Sequence, residues 1–178
     1  MLLTTFACKK NQVPTDDGEL INPIVTPSGE AHSLINGTPW EYLAYISKRQ
    51  DFPDKFVFDL NRYNDNGLKR GEMSFKNVTL KTGTFYPVQW VYVHGSVDTI
   101  FSCSFITLLG EGDPGGDQYV LLKDSAMVFT LDKIETNGEI WGTFSGTLVK
   151  KIGEMEYDPA SPDTLVFTEG EYHAKLEP

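Results

Sequence analysis

Short apolar segments, separated by turn residues about every 8–12 positions, are the feature that most restricts the fold of this chain. The clearest segment, Lys55–Arg62, places Phe56, Phe58 and Leu60 at alternate positions, as a strand with one buried face requires. No window of ten or more residues shows helical periodicity. The sequence therefore predicts an all-β, antiparallel fold of about ten strands, arranged as a sandwich or a flattened barrel.

The strongest hairpin signal lies late in the chain. Thr136-Asn137-Gly138 joins two predicted strands, Ala126–Glu135 and Glu139–Lys150, and both Asn and Gly accept the positive φ of a tight turn. The last predicted strand, Gly170–Leu176, has its apolar residues at alternate positions. These residues are expected to point inward: Tyr172, Ala174 and Leu176.

Apolar residues make up 40% of the chain, which is enough to build a hydrophobic core. Two aromatic residues, Trp40 and Trp141, are expected to pack in that core. Cys103 lies between Phe101 and Phe105 in an apolar run, so a buried free thiol is expected there. The chain has only two cysteines, too few for a zinc cluster built on paired cysteines.

The formal net charge of −10 restricts the partners of the protein. A phosphate backbone would repel a chain of this charge, so nucleic acid is not an expected partner. The charge is explained by solubility alone and points to no particular ligand.

The N-terminus resembles the end of a bacterial lipoprotein signal. An apolar stretch ends in Ala7-Cys8, although Thr5 replaces the leucine of the usual pattern and a basic start is missing. Residues 1–8 are therefore predicted to be a signal remnant with lipidation on Cys8. Residues 9–33 contain prolines and acidic residues and are predicted to be a disordered tether, which leaves 34–178 as the β domain.

Several short motifs resemble an uncharacterised family of Bacteroidetes cell-envelope lipoproteins. They are Ala7-Cys8, the segment 35–40 (INGTPW), the segment 137–146 (NGEIWGTFSG) and the segment 167–173 (FTEGEYH). The resemblance implies an all-β domain of unknown function in the cell envelope. It carries over no catalytic residue. We expect a lipid-anchored protein of the outer membrane that faces the periplasm or the surface.

Two groups of side chains are candidate sites. Trp90, Tyr92 and His94 alternate along one predicted strand and share one face, which suits contact with a sugar ring or a partner protein, although core packing explains the pattern as well. The loop around 111–118 offers carboxylates to a hard cation such as Ca²⁺ without matching the EF-hand spacing. These carboxylates are Glu111, Asp113 and Asp117.

The sequence favours a non-enzymatic binding or interaction module that contacts a glycan or an envelope protein. The three histidines, His32, His94 and His173, adjoin no nucleophile motif. We expect a monomer that needs no cofactor. The first alternative is a lipocalin-like barrel that holds a small apolar ligand, and the second is an envelope hydrolase.

Overall fold

A computed structural model describes residues 26–89, 100–108, 116–124, 126–151 and 158–176. These ranges form strands and turns, as predicted, and none of them contains a helix with the length and apolarity needed to span a bilayer. The strands are β1 (Gly29–Ile35), β2 (Thr38–Lys48), β3 (Lys55–Tyr63), β4 (Lys69–Thr79), β5 (Gly83–Phe85), β6 (Ser102–Thr107), β7 (Gln118–Val120), β8 (Met127–Ile134), β9 (Glu139–Lys150) and β10 (Thr164–Lys175).

The strands form one sheet that closes on itself. The ring runs β10-β1-β2-β3-β4-β6-β7-β9 and returns to β10, and every pairing is antiparallel. The long strand β9 makes this closure because it pairs with β10 along one side and with β7 and β8 along the other. The fold is therefore an eight-stranded barrel extended by β8 and β5, and the predicted sandwich alternative is wrong.

Aromatic side chains fill the described interior of the barrel. Phe129 lies 4.7 Å from Phe75 and 5.1 Å from Tyr172, measured between ring centroids. Phe105 packs against Tyr119 and Phe167, with ring centroids 6.1 and 5.8 Å apart. Such offset and edge-to-face pairs add about 0.5–1.5 kcal/mol each to the burial of the rings. The predicted burial of Cys103 is confirmed, with a free thiol that is 6% exposed.

The barrel begins earlier in the chain than the sequence predicts. Residues 29–33, assigned to the tether, belong to β1, which pairs with both β2 and β10. The inward positions of β1 include Ala31 and Ser33, and residues this small and polar give no apolar alternation to detect. The inner end of the predicted tether is therefore part of the sheet.

The two tryptophans of the expected core lie in different places. Trp40 is half-buried and packs against Phe105. The Arg62 guanidinium lies over the Trp40 ring, 3.9 Å from the ring centroid. Trp141 lies on the outer face of β9, stacked on His173 at 4.6 Å. The prediction of a core position is thus wrong for Trp141. The inward positions beside it are Ile140 and Gly142.

Candidate functional site

Most of the predicted site residues lie outside the described residues. They are Cys8, Trp90, Tyr92, His94, Glu111 and Asp113. Asp117 of the predicted calcium loop is described, and it is buried with its Oδ2 atom 4.0 Å from the Nζ atom of Lys150. Lys150 also donates a hydrogen bond to the Ser161 carbonyl. A resident ammonium group therefore already balances this carboxylate. The described ranges hold no cluster of three or more metal-ligating side chains.

An open groove crosses the outer face of β1, β2 and β3. Its volume is about 470 Å³, within the range of about 300–1,000 Å³ typical of small-ligand sites. The outward side chains that line it are Glu30, His32, Glu41, Leu43, Asn61 and Tyr63. A smaller groove of about 270 Å³ shares Glu30 and Leu43 with it and continues towards β9.

The strand register explains why these residues meet. Glu30 pairs with Leu43, which pairs with Asn61, so the three lie in one row across the sheet. His32 pairs with Glu41 in the next row. Because side chains alternate between the two faces of a strand, both rows point away from the barrel interior.

Asn61 is the unusual member of this surface. It points away from the interior, yet it is only 8% exposed, and its Oδ1 atom accepts no hydrogen bond. Asp59, two residues earlier on the same face, has an Oδ1 atom in the same condition. Buried polar atoms are nearly always paired, and an unsatisfied one costs about 1–3 kcal/mol. Two unsatisfied oxygen atoms on neighbouring outward residues of β3 indicate that this part of the sheet is not optimised for folding stability.

A pair of phenols lies at the neighbouring outward positions of β2 and β3. The hydroxyls of Tyr45 and Tyr63 are 3.2 Å apart and share a hydrogen bond. Tyr45 pairs with Asp59 across β2 and β3, and Tyr63 follows Asn61 by two residues on β3. The two hydroxyls therefore meet across the outer face of β2 and β3, from either side of the row that contains Asn61.

The electrostatic surroundings of Asp59 and Asn61 are mixed. Burial raises the pKa of the Asp59 carboxyl, and the neighbouring Glu72 raises this pKa further. A hydrogen bond from Ser74 and the charges of Lys69 and Lys76 act in the opposite direction. Glu72 is itself paired with Lys69. The strongest effect is desolvation, so the neutral form of Asp59 is favoured relative to an exposed aspartate.

The groove itself is acidic. The described residues that line it carry two carboxylates, Glu30 and Glu41, and no lysine or arginine. His32 directs its Nε2 atom towards Glu171, at 3.7 Å, on the neighbouring strand β10. Leu43 adds an apolar contact and is 40% exposed. The arrangement offers hydrogen-bond acceptors, negative charge and one apolar side chain to a ligand.

A second aromatic feature lies further along the same outer face. Trp141 stacks on His173 of β10, and the Nζ atom of Lys133 on β8 lies 4.7 Å from the Trp141 ring. The ring is thus held between residues of the two strands that flank β9. Stacking and cation–π contact fix this side chain in place, and they cover much of the surface that a sugar ring would use.

The groove was not among the sites predicted from the sequence. Two of its residues, Glu30 and His32, fall in the segment assigned to the tether. The one available signal was Asn61, a polar residue near the end of the best-patterned strand, but a position on the polar face of that strand explained its presence equally well.

Comparisons with known proteins give no relative. No protein-family model, no curated protein and no solved structure matches this chain.

Proposed function

We propose that this protein is a non-enzymatic binding module of the cell envelope, and that it holds its ligand in the groove across β1, β2 and β3. The observation that carries the proposal is Asn61, a residue that lines the groove and whose Oδ1 atom is buried and accepts no hydrogen bond. A group that costs stability and completes no internal network is typical of a surface selected for binding. Anchoring through Cys8 remains a prediction from the sequence.

The packing of the barrel favours binding on its outer face over binding inside it. Barrels of about eight strands either fill with side chains or hold one small ligand. Here the described interior is occupied by rings that contact one another, including Phe58, Phe75, Phe129 and Phe144. The lipocalin-like alternative gains no support from this region.

The composition of the groove favours binding over hydrolysis. Its described lining includes one histidine and two glutamates but no serine, threonine or cysteine to act as a nucleophile. The two glutamates lie on an open face, whereas a catalytic acid needs an environment that raises its pKa. The groove is therefore better suited to recognition than to chemistry.

A blocking substitution tests the proposal. Leu43→Arg places a long cation in the groove from a position on the outer face, so it should abolish capture of a ligand from a glycan panel and envelope extracts. Val166→Arg is the matched control, because Val166 on β10 is also a surface side chain, 41% exposed. Surface changes of this kind should each alter the free energy of unfolding by about 0.5 kcal/mol or less.

Capture would be measured by pull-down and interferometry with both variants and the parent protein. Loss of capture in Leu43→Arg alone supports the groove. Equal capture by the two variants would overturn it, because the ligand would then bind elsewhere.

A further inference from the structure

The charges around the groove restrict the ligand class. Glu30 and Glu41 are solvent-exposed, lie on adjacent strands, and face outward beside Asn61. The Lys69 ammonium is engaged by Glu72 on the far side of Asn61. The described residues that line the larger groove thus include two carboxylates and no lysine or arginine, while Lys175 lines the adjoining smaller groove.

The hydrogen-bonding character of the groove points the same way. A side-chain carbonyl such as Oδ1 of Asn61 only accepts, and so does an ionised carboxylate. Ammonium and guanidinium groups only donate, and they bear the complementary charge. The oxygen of Asn61 is buried, so a donor reaches it only by displacing the side chains that cover it. Among the described residues, the Tyr63 hydroxyl makes one hydrogen bond, to Tyr45.

The remaining groove residues suit the stem of a basic side chain. Leu43 is partly exposed and Tyr63 is half-buried, so both offer apolar surface beside the acceptors. Lysine and arginine side chains bury their methylene stems along such surfaces while the charged head stays polar. An aromatic ring at the rim also attracts a cation directly.

We propose that the groove lined by Glu30, Glu41 and Asn61 binds a protonated amine or guanidinium group. This inference rests on the proposed function and gives its ligand a chemical class. The cation is supplied either by a lysine or arginine side chain of a polypeptide or by a free polyamine.

Titration of the full chain with an acetylated trilysine amide and with spermidine, at 150 mM salt, tests the inference. The double variant Glu30→Gln/Glu41→Gln should weaken binding of the better probe by about ten-fold or more, because it removes charge-assisted hydrogen bonds. The control Asp51→Asn/Glu169→Gln removes the same charge from exposed positions outside the groove. It should change the affinity by about two-fold or less.

Preference for trilysine assigns the cation to a polypeptide, and preference for spermidine assigns it to a polyamine; either result supports the site. An equal loss in the two double variants would overturn the inference, because net charge alone would then explain binding. Absence of binding by both probes at millimolar concentration would also overturn it. If Leu43→Arg still blocks capture from envelope extracts in that case, the groove remains a binding site and only the ligand class is wrong.

Asn61→Leu separates recognition from structure. The leucine removes the unsatisfied oxygen at similar volume, so the free energy of unfolding should stay the same or rise. Binding of the better probe should weaken by about ten-fold, the usual value of a hydrogen bond to a charged group. Unchanged binding, or loss of stability with binding intact, would show that Asn61 has a structural role and that the acceptor is not part of the site.

Discussion

Some residues on the outer face of this barrel have buried polar atoms or large apolar rings, which are ordinarily found in a protein interior. Asp59 and Asn61 point outward, yet the Oδ1 atom of each is buried and accepts no hydrogen bond. Trp141 shows the reverse case, a large ring placed outside on a strand that also supplies the core. At this scale the boundary between core and surface is decided by neighbours on adjacent strands as well as by alternation along one strand.

The buried carboxyl of Asp59 should make stability depend on pH. A carboxyl whose pKa is raised by burial keeps its proton in the folded state at a pH where the unfolded chain has lost it. Its contribution is therefore complete below the ordinary aspartate pKa and is lost as pH rises through the raised value. Asp59→Asn should gain stability relative to the parent as pH rises through this window.

Urea unfolding of both proteins at pH values from 4 to 7 measures the effect. The exposed Asp51→Asn provides the control for an aspartate-to-asparagine change on the surface. The same dependence on pH in both variants, or a difference for Asp59→Asn that is constant with pH, would show that the folded protein does not retain the proton on Asp59.

The position of Trp141 shows where a sequence pattern misleads. The inward position next to it is Gly142, and a side chain there would lie 2.4 Å from the ring of Tyr172. The Tyr172 ring occupies that space and donates its hydroxyl to the Thr130 carbonyl. Because the inward residue is a glycine, the sequence pattern wrongly indicates Trp141, the largest apolar residue of the segment, as the core residue. Nothing in the sequence of β9 alone reveals that a ring from β10 fills the gap.

Among the elements, β3 and the β8–β9 hairpin could be predicted closely. The alternation in 55–62 corresponds to β3, and the turn at Asn137–Gly138 has the positive φ of 86° at its glycine. The strands β1 and β5 could not be predicted, since β1 has small inward residues and β5 has only three residues. The candidate groove depends on the register between β1, β2 and β3, which short-range patterns do not specify.

The strand β10 should be indispensable, because it pairs with β1 on one side and β9 on the other. Deleting 170–178 removes the buried Tyr172 and Ala174 and opens the ring. Loss of a large buried side chain costs about 2–5 kcal/mol, and the pairings of the strand are lost as well. A domain typically has only about 5–15 kcal/mol of stability, so the truncated chain should not fold.

Circular dichroism and thermal melting of the truncated chain check this expectation. The substitution Lys175→Ala, at an exposed position of the same strand, should melt like the parent. A cooperative transition at the parental temperature after the deletion would contradict the role of β10 in closing the barrel.

For the whole molecule, the prediction from the N-terminus concerns attachment. Lipid on Cys8 should appear as an added acyl mass on the N-terminal peptide of protein isolated from membranes. Cys103 is an internal control, because burial raises the pKa of its thiol and keeps it unreactive. Cys8→Ala should move the protein out of the membrane fraction, and an unmodified Cys8 on membrane-derived protein would contradict the prediction.

Closure of the sheet also determines how other molecules can recognise this one. Many receptors recruit a partner by letting it add a strand to an open sheet margin, where free backbone groups supply the affinity. Here each of the eight strands in the ring pairs with another strand along both of its edges. The described extension ends in β5, a strand of three residues. A partner therefore cannot bind along the ring by adding a strand to a free sheet edge. Along the described ring, selectivity therefore comes from side chains that project from the wall, so it can change by substitution while the scaffold stays the same.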